Sequence, residues 1–174
     1  TECQRCFWLD VVKGVKRPSM PAFSLNSAVD HLLKKEFDIY REQAKPHPIM
    51  LEYGIDAIPF KHKEMENWRN NFTGVRAVNE DLELTVFGGV DDIWMTPKKE
   101  LLVVDYKSTS KDGEVELTDA RWHQAYRRQM EVYQWLLRKN GFKVSDTGYF
   151  VFANASKAEE SFNKQLVFTL KILA

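Results

Sequence analysis

Gly88-Gly89-Val90-Asp91-Asp92-Ile93-Trp94-Met95-Thr96-Pro97-Lys98-Lys99-Glu100-Leu101-Leu102-Val103-Val104-Asp105-Tyr106-Lys107 is the stretch on which the fold turns. Its run Leu101-Leu102-Val103-Val104 is apolar without alternation, the pattern of a strand buried on both faces. Thr96-Pro97-Lys98-Lys99-Glu100 supplies a turn, so the β-rich segments 82–95 and 101–107 are expected to pair as an antiparallel hairpin. Side chains alternate faces along a strand, which places Asp105 and Lys107 on one side. A carboxylate and an ammonium at the end of a buried strand need partners. Asp91 on the neighbouring strand supplies a second carboxylate, and Asp92 is its substitute if a bulge at Gly88-Gly89 exchanges the two faces. Two carboxylates beside a lysine suit a hard divalent cation such as Mg²⁺, which takes oxygen ligands and keeps several waters. Such an ion lowers the pKa of a bound water and neutralises charge developing on a phosphate, while the lysine orients that water. By itself an Asp-x-Lys spacing also describes a plain strand-end salt bridge beside a surface acid pair. The Gly-x-x-Asp segment on the partner strand turns the balance toward chemistry.

On the C-terminal side of this hairpin a long helix is expected over residues 118–140, stopped by Gly141. At roughly 100° per residue, Trp122, Ala125, Tyr126, Val132, Tyr133, Leu136 and Leu137 gather on one face, with Arg127, Glu131, Gln134 and Arg138 opposite. Gln129 falls near the middle of the apolar arc, with Tyr133 one turn later, and a buried amide must be hydrogen-bonded. Its partner is either a backbone carbonyl in the core or the hairpin lysine and a bound phosphate. On the N-terminal side, after Pro18 and Pro21, a helix is expected over 26–43 with Val29, Leu33, Phe37 and Tyr40 on one face. Lys45-Pro46-His47-Pro48 ends it. Residues 60–72 read as weakly helical, 74–78 as a strand, and 149–152 and 166–172 as closing strands. The order of helix, strands, helix, strands predicts a single α/β domain over 1–174, a mixed central β-sheet flanked by α-helices.

Gly88-x-x-Asp91, Asp105-x-Lys107 and Gln129-x-x-x-Tyr133, in that order, resemble the PD-(D/E)XK nuclease superfamily, and within it the RecB-like branch that includes the CRISPR-associated RecB-like exonucleases. Cys3-Gln4-Arg5-Cys6-Phe7-Trp8-Leu9 is similar to the Cys-Pro-Arg-x-Phe-Trp-Leu entry segment of that branch. The likeness runs from Cys3 to about Phe152. It implies a restriction-endonuclease-like core and Mg²⁺- or Mn²⁺-dependent, exonuclease-like hydrolysis of DNA in repair, recombination, phage or defence processing. By the same resemblance Asp91 and Asp105 are metal ligands, Lys107 the catalytic lysine, and Gln129 with Tyr133 the branch's helix pair. The branch carries a histidine on its first helix in a Gly-x-x-x-His pattern. Here the matching stretch is Asn26-Ser27-Ala28-Val29-Asp30, with His31 next. Asp30 borders the stripe of Val29, Leu33 and Phe37, whereas His31 points roughly 100° further round. Asp30 is therefore the expected third ligand, with a solvated helix flank as the alternative, and His31 is expected at the surface. Members with an iron–sulfur cluster use one N-terminal and three C-terminal cysteines. This chain has none after Cys6, cannot complete such a cluster alone, and is expected to carry Cys3 and Cys6 as ordinary thiols.

Composition bounds these readings. The chain has 174 residues, 44% apolar and 29% charged, within the range of a globular domain. Its 25 basic side chains balance 25 acidic ones, which excludes a generic nucleic-acid coating protein. Balanced totals suit an enzyme whose carboxylates cluster at a metal and whose basic side chains line one track. They predict weak intrinsic affinity for single- or double-stranded DNA and a protein partner that delivers the substrate. Lys111, Arg127 and Arg128 are the candidate substrate contacts, with Lys34, Lys35 and Arg121 as further basic positions. Trp122 and Trp135 are able to stack on bases, although Trp122 is expected in the core. The absence of a long apolar segment predicts a soluble, cytoplasmic protein with no membrane partner. The start at Thr1 rather than Met predicts a short preceding segment. The rival expectation is a catalytically inactive DNA-binding or assembly module that keeps the fold; a metal enzyme of another kind is a third.

Overall fold

The computed structural model describes residues 3–18, 23–161 and 164–174, so Pro21 lies outside the described residues. Helix α1 (Gln4–Phe7) runs on into a π-helical turn over Trp8–Val12. It is followed by α2 (Ser24–Gln43), α3 (Pro48–Glu52), β1 (Ile58–Pro59), α4 (Met65–Arg69), β2 (Val75–Asn79), β3 (Leu84–Gly88), β4 (Asp92–Met95), β5 (Leu101–Thr109), α5 (Arg121–Lys139), β6 (Tyr149–Ala155) and β7 (Phe168–Leu173). Five strands form a sheet in the order β1-β4-β5-β6-β7, and β2 and β3 make a separate two-stranded sheet. The pair β5–β6 is parallel and the other pairs of the large sheet are antiparallel. A parallel pair cannot be closed by a tight turn, so the chain crosses over between them, and α5 is that crossover. This is the mixed α/β architecture, a central sheet flanked by helices, that the resemblance implies.

The expected hairpin is β4–β5, with Asp92 opposite Val104 and Met95 opposite Leu101. Every residue from Leu101 to Tyr106 is buried, which explains the unbroken apolar run. One face, carrying Ile93, Leu101, Val103, Phe150 and Phe152, packs on Met130, Tyr133, Leu136 and Leu137 of α5 and on Val75 of β2. The other, carrying Trp94, Leu102, Val104, Tyr106 and Val151, packs on Leu33 and Phe37 of α2 and Met50 of α3. Each large apolar side chain fully buried in these layers stabilises the fold by roughly 1.5–3 kcal/mol.

Four sequence expectations are corrected. Segment 82–95 is not one strand: β3 and β4 belong to different sheets. The break falls at Gly88-Gly89, where a Cβ on Gly88 would lie 2.6 Å from Cε1 of Tyr133 and one on Gly89 2.7 Å from Oδ1 of Asn71. Val90 then gives its backbone N–H to Trp68 O at 2.9 Å instead of extending a ladder. Helical structure within 60–72 is confined to Met65–Arg69. The apolar arc drawn for α5 is shifted: Trp122 is 64% exposed because full burial on this helix begins only at Met130, and Val132 is 41% exposed because the buried face there is that of Met130, Tyr133, Gln134 and Leu137. Gln134, placed on the polar side by periodicity, is buried and donates its amide to the carbonyls of Ser145 and Asp146, both at 3.1 Å.

Candidate active site

The end of β5 nearest α5 gathers the charged side chains. Asp105 is 1% exposed and Lys107 half-buried on the same strand face. The Lys107 ammonium forms an ion pair with Asp105 Oδ2, and that buried oxygen has no further hydrogen-bond partner among the described residues. Lys107 also donates to Oε1 of Gln129 at 3.5 Å, and its Nζ lies 4.6 Å from the centre of the Tyr126 ring. Gln129 in turn donates from Nε2 to the Tyr133 hydroxyl at 2.7 Å. Tyr126, Gln129 and Tyr133 follow one another at i, i+3 and i+7, so a single face of α5 boxes the lysine. Gln129 sits at the half-exposed border of the helix's buried stripe, not at its centre.

Asp91 comes from the residue before β4. Its Oδ2 accepts the Tyr106 backbone N–H at 2.9 Å, and its carbonyl oxygen accepts from Arg69 Nε at 3.1 Å, which holds the carboxylate against β5 next to Asp105. Its Oδ1 accepts from Lys34 Nζ at 3.1 Å, and Lys34 also donates to Asp30 Oδ2 at 2.8 Å. Burial opposes the charge on Lys34, but Asp91 and Asp30 outweigh it and raise its pKa. Burial pushes the Asp105 carboxyl up to about 6; Lys107 opposes the shift and the Asp91 charge adds to it. Burial likewise raises the Tyr133 hydroxyl.

Asp92 is on the opposite sheet face and takes no part in this cluster. It accepts from Arg41, from Arg69 at 3.3 Å and from the Tyr106 hydroxyl at 2.7 Å. Asp91, not Asp92, therefore accompanies Asp105. Asp30 is half-buried and engaged by Lys34; His31 is exposed. Among the described residues no three His, Cys, Asp or Glu side chains converge as a metal-ligand set. The pair Asp91 and Asp105 still fits a hard divalent cation, because Mg²⁺ is commonly held by one or two carboxylates with waters and substrate phosphate completing the shell. The observation behind that fit is the buried Asp105 Oδ2, an acceptor whose partner among the described residues is the Lys107 ammonium alone, in a carboxyl that burial disfavours as an anion.

Gln129 and Tyr133 also line an open groove along α5, together with Arg121, Gln124 and Arg128. Arg127 lies outside that lining, donating to Thr118 O at 3.3 Å, and Lys111 pairs with Glu116 at 3.7 Å. Cys6 gives its backbone N–H to Cys3 Sγ at 3.3 Å, a local cap of α1. An apolar cleft beside β1 and the β4–β5 turn, lined by Leu51, Ile55, Ile58 and Met95, contains none of the candidate residues. Lys34 was legible only as one more basic side chain; its i, i+4 spacing from Asp30 was the signal for the first contact, and nothing local announced the second, with Asp91. No helix among the described residues is long and apolar enough to cross a membrane. The family model described as PD-(D/E)XK nuclease superfamily matches residues 4–170. No curated protein and no solved structure matches the chain.

Proposed function

The chain belongs to the PD-(D/E)XK nuclease superfamily, and from that premise we propose that it is a divalent-metal-dependent deoxyribonuclease of the RecB-like type with exonuclease-like action. The observation that carries this reading is the buried Asp105 Oδ2, which has the Lys107 ammonium and no further hydrogen-bond partner among the described residues, beside Asp91. Asp91 and Asp105 hold the cation. When bound, Mg²⁺ or Mn²⁺ supplies charge neutralisation at the scissile phosphate and a water of lowered pKa. The chain's own groups do the rest. Lys107, fixed by Asp105 and by Gln129 Oε1, places its Nζ to hold the attacking water or a non-bridging phosphate oxygen through a charge-assisted hydrogen bond. Gln129 gives that ammonium a second acceptor besides Asp105, and its own amide donates to the Tyr133 hydroxyl. The groove lined by Arg121 and Arg128 leads a phosphate backbone toward these side chains.

The test is cleavage of end-labelled linear and covalently closed circular DNA with Mg²⁺ or Mn²⁺. Cleavage of the linear substrate alone, abolished in Lys107→Ala, is the expected result. Absence of metal-dependent cleavage by the parent chain, or equal cleavage by Lys107→Ala, overturns the reading. One observation favours a second reading, a DNA-binding or assembly module without catalysis: an ammonium already occupies Asp91. Under that reading calorimetry detects no Mn²⁺ binding, whereas under the first it does, and Asp105→Ala abolishes it.

A further inference from the structure

We propose that Lys34 is a resident cation of the site, which withholds Asp30 and one oxygen of Asp91 from the divalent ion. The inference rests on the assignment of Asp91 and Asp105 as the metal-holding pair. Lys34 leaves α2 one residue after Leu33, and Leu33 and Phe37 are buried in the core beneath the sheet, so the stem of Lys34 starts from a fixed position. Its side chain is only 18% exposed and spans two carboxylates, at 2.8 Å to Asp30 Oδ2 and 3.1 Å to Asp91 Oδ1. A bridging ammonium this far removed from water is not the freely exchanging partner of a surface pair. An ammonium and a hard divalent ion seek the same carboxylate oxygens, and neither tolerates the other within contact distance.

The division of oxygens follows. Asp91 offers Oδ1 to Lys34 and keeps Oδ2 toward the Tyr106 N–H and the Asp105 side. Asp30 is then the anchor that holds Lys34 in place and not a ligand, even though it stands where the resemblance expects one. The carboxylates of Asp30, Asp91 and Asp105 with the ammoniums of Lys34 and Lys107 leave one net negative charge. A single divalent ion therefore turns the cluster to one net positive charge, the complement of one phosphodiester. Lys34 thereby limits the affinity of the centre for metal.

The experiment is calorimetric titration of Mn²⁺ into the full chain near neutral pH at constant ionic strength. Lys34→Met is expected to bind Mn²⁺ roughly tenfold more tightly, the scale of one partly buried ion pair. Lys34→Arg keeps the charge and the parent affinity. Asp30→Asn alone changes the affinity by less than about twofold, but in the Lys34→Met background it removes most of the gain, a coupling that only contacting groups show. Affinity in Lys34→Met equal to or below the parent overturns the proposal, as does a tenfold loss in Asp30→Asn alone or a gain in Lys34→Arg equal to that in Lys34→Met. If neither the parent nor Lys34→Met binds Mn²⁺, this inference and the metal-site assignment fall together. If Lys34→Met binds more tightly but no variant cuts DNA, the nuclease reading falls and the role of Lys34 stands.

Discussion

Asp91 and Asp92 are neighbours in sequence, and the sheet sends them to opposite fates. Asp92 is fully buried and saturated: Arg41, Arg69, the Tyr106 hydroxyl and its own strand's Ile93 N–H all donate to it. Asp38 closes the network by accepting from Arg41 Nε at 2.9 Å and from Arg69 at 2.8 and 3.0 Å. Across the sheet, Asp91 pairs with Lys34 and Asp105 with Lys107, and the buried Asp105 Oδ2 has no further hydrogen-bond partner among the described residues. The first region spends its charges on holding α2, α4 and the hairpin together. The second leaves charge unbalanced, and that shortfall is the basis of the cation site proposed above. What separates structure from function here is the completeness of the partners and not the type of residue.

Changes on either side of the sheet break or sharpen this contrast. Asp92→Ala leaves two guanidiniums, each under a tenth exposed, without their buried carboxylate and with only the half-exposed Asp38 between them. It should destabilise the fold by about 3–5 kcal/mol in urea unfolding. A loss below about 1 kcal/mol removes the distinction drawn between the two regions. Asp105→Asn should act in the opposite direction. With the carboxyl raised to about 6 in the folded chain from an ordinary 3.8, the folded state holds the proton more firmly than the unfolded one. Metal-free stability is therefore fully present below the ordinary value, falls as pH rises toward the folded value, and levels off above it. The fall is on the order of 3 kcal/mol and should be missing in Asp105→Asn, so that at neutral pH the variant melts above the metal-free parent. A parallel pH profile for both proteins contradicts this.

Gly88→Ala tests the boundary between the regions. Its Cβ must displace the Tyr133 ring at 2.6 Å, at a cost of about 1–3 kcal/mol in unfolding free energy, and the displaced ring should release Gln129. Unchanged stability would show that the ring moves freely and does not set the helix pair. The smallest effect is expected from Gln129→Ala: about 1 kcal/mol or less in stability, for two part-buried hydrogen bonds, and a decrease of about tenfold in DNA cleavage through the misplaced lysine. A larger loss of stability than of cleavage would make Gln129 a packing residue.

The sequence was informative where a signal is local. The continuous apolar run of β5, the turn Thr96-Pro97-Lys98-Lys99-Glu100 and the alternation that puts Asp105 with Lys107 all depend on neighbours along one strand, and the structure shows each. The helices α2 and α5 were visible through their apolar stripes and, for α5, through Gly141 at its end. The reading went wrong where a distant element decides the outcome. Periodicity put Trp122 inside, because a helical wheel does not record where along its length a helix meets the sheet, and Gln134 outside, because its partners are the carbonyls of Ser145 and Asp146 beyond the helix. It joined β3 to β4, because the approach of Tyr133 to Gly88 involves residues far apart in the chain.

From the amino-acid sequence alone follow the mixed α/β class, the hairpin and the chemical kind of the centre: carboxylates with a lysine, suited to a hard cation. These depend on residue type and on periods of two and 3.6 residues, which any single segment carries. Only the tertiary structure decides that Asp91 rather than Asp92 joins Asp105, and that Lys34 from α2 stands between Asp30 and Asp91. The reason is that electrostatic partnership falls off over a few ångströms of space, whereas Lys34 and Asp91 are separated by 57 positions of chain.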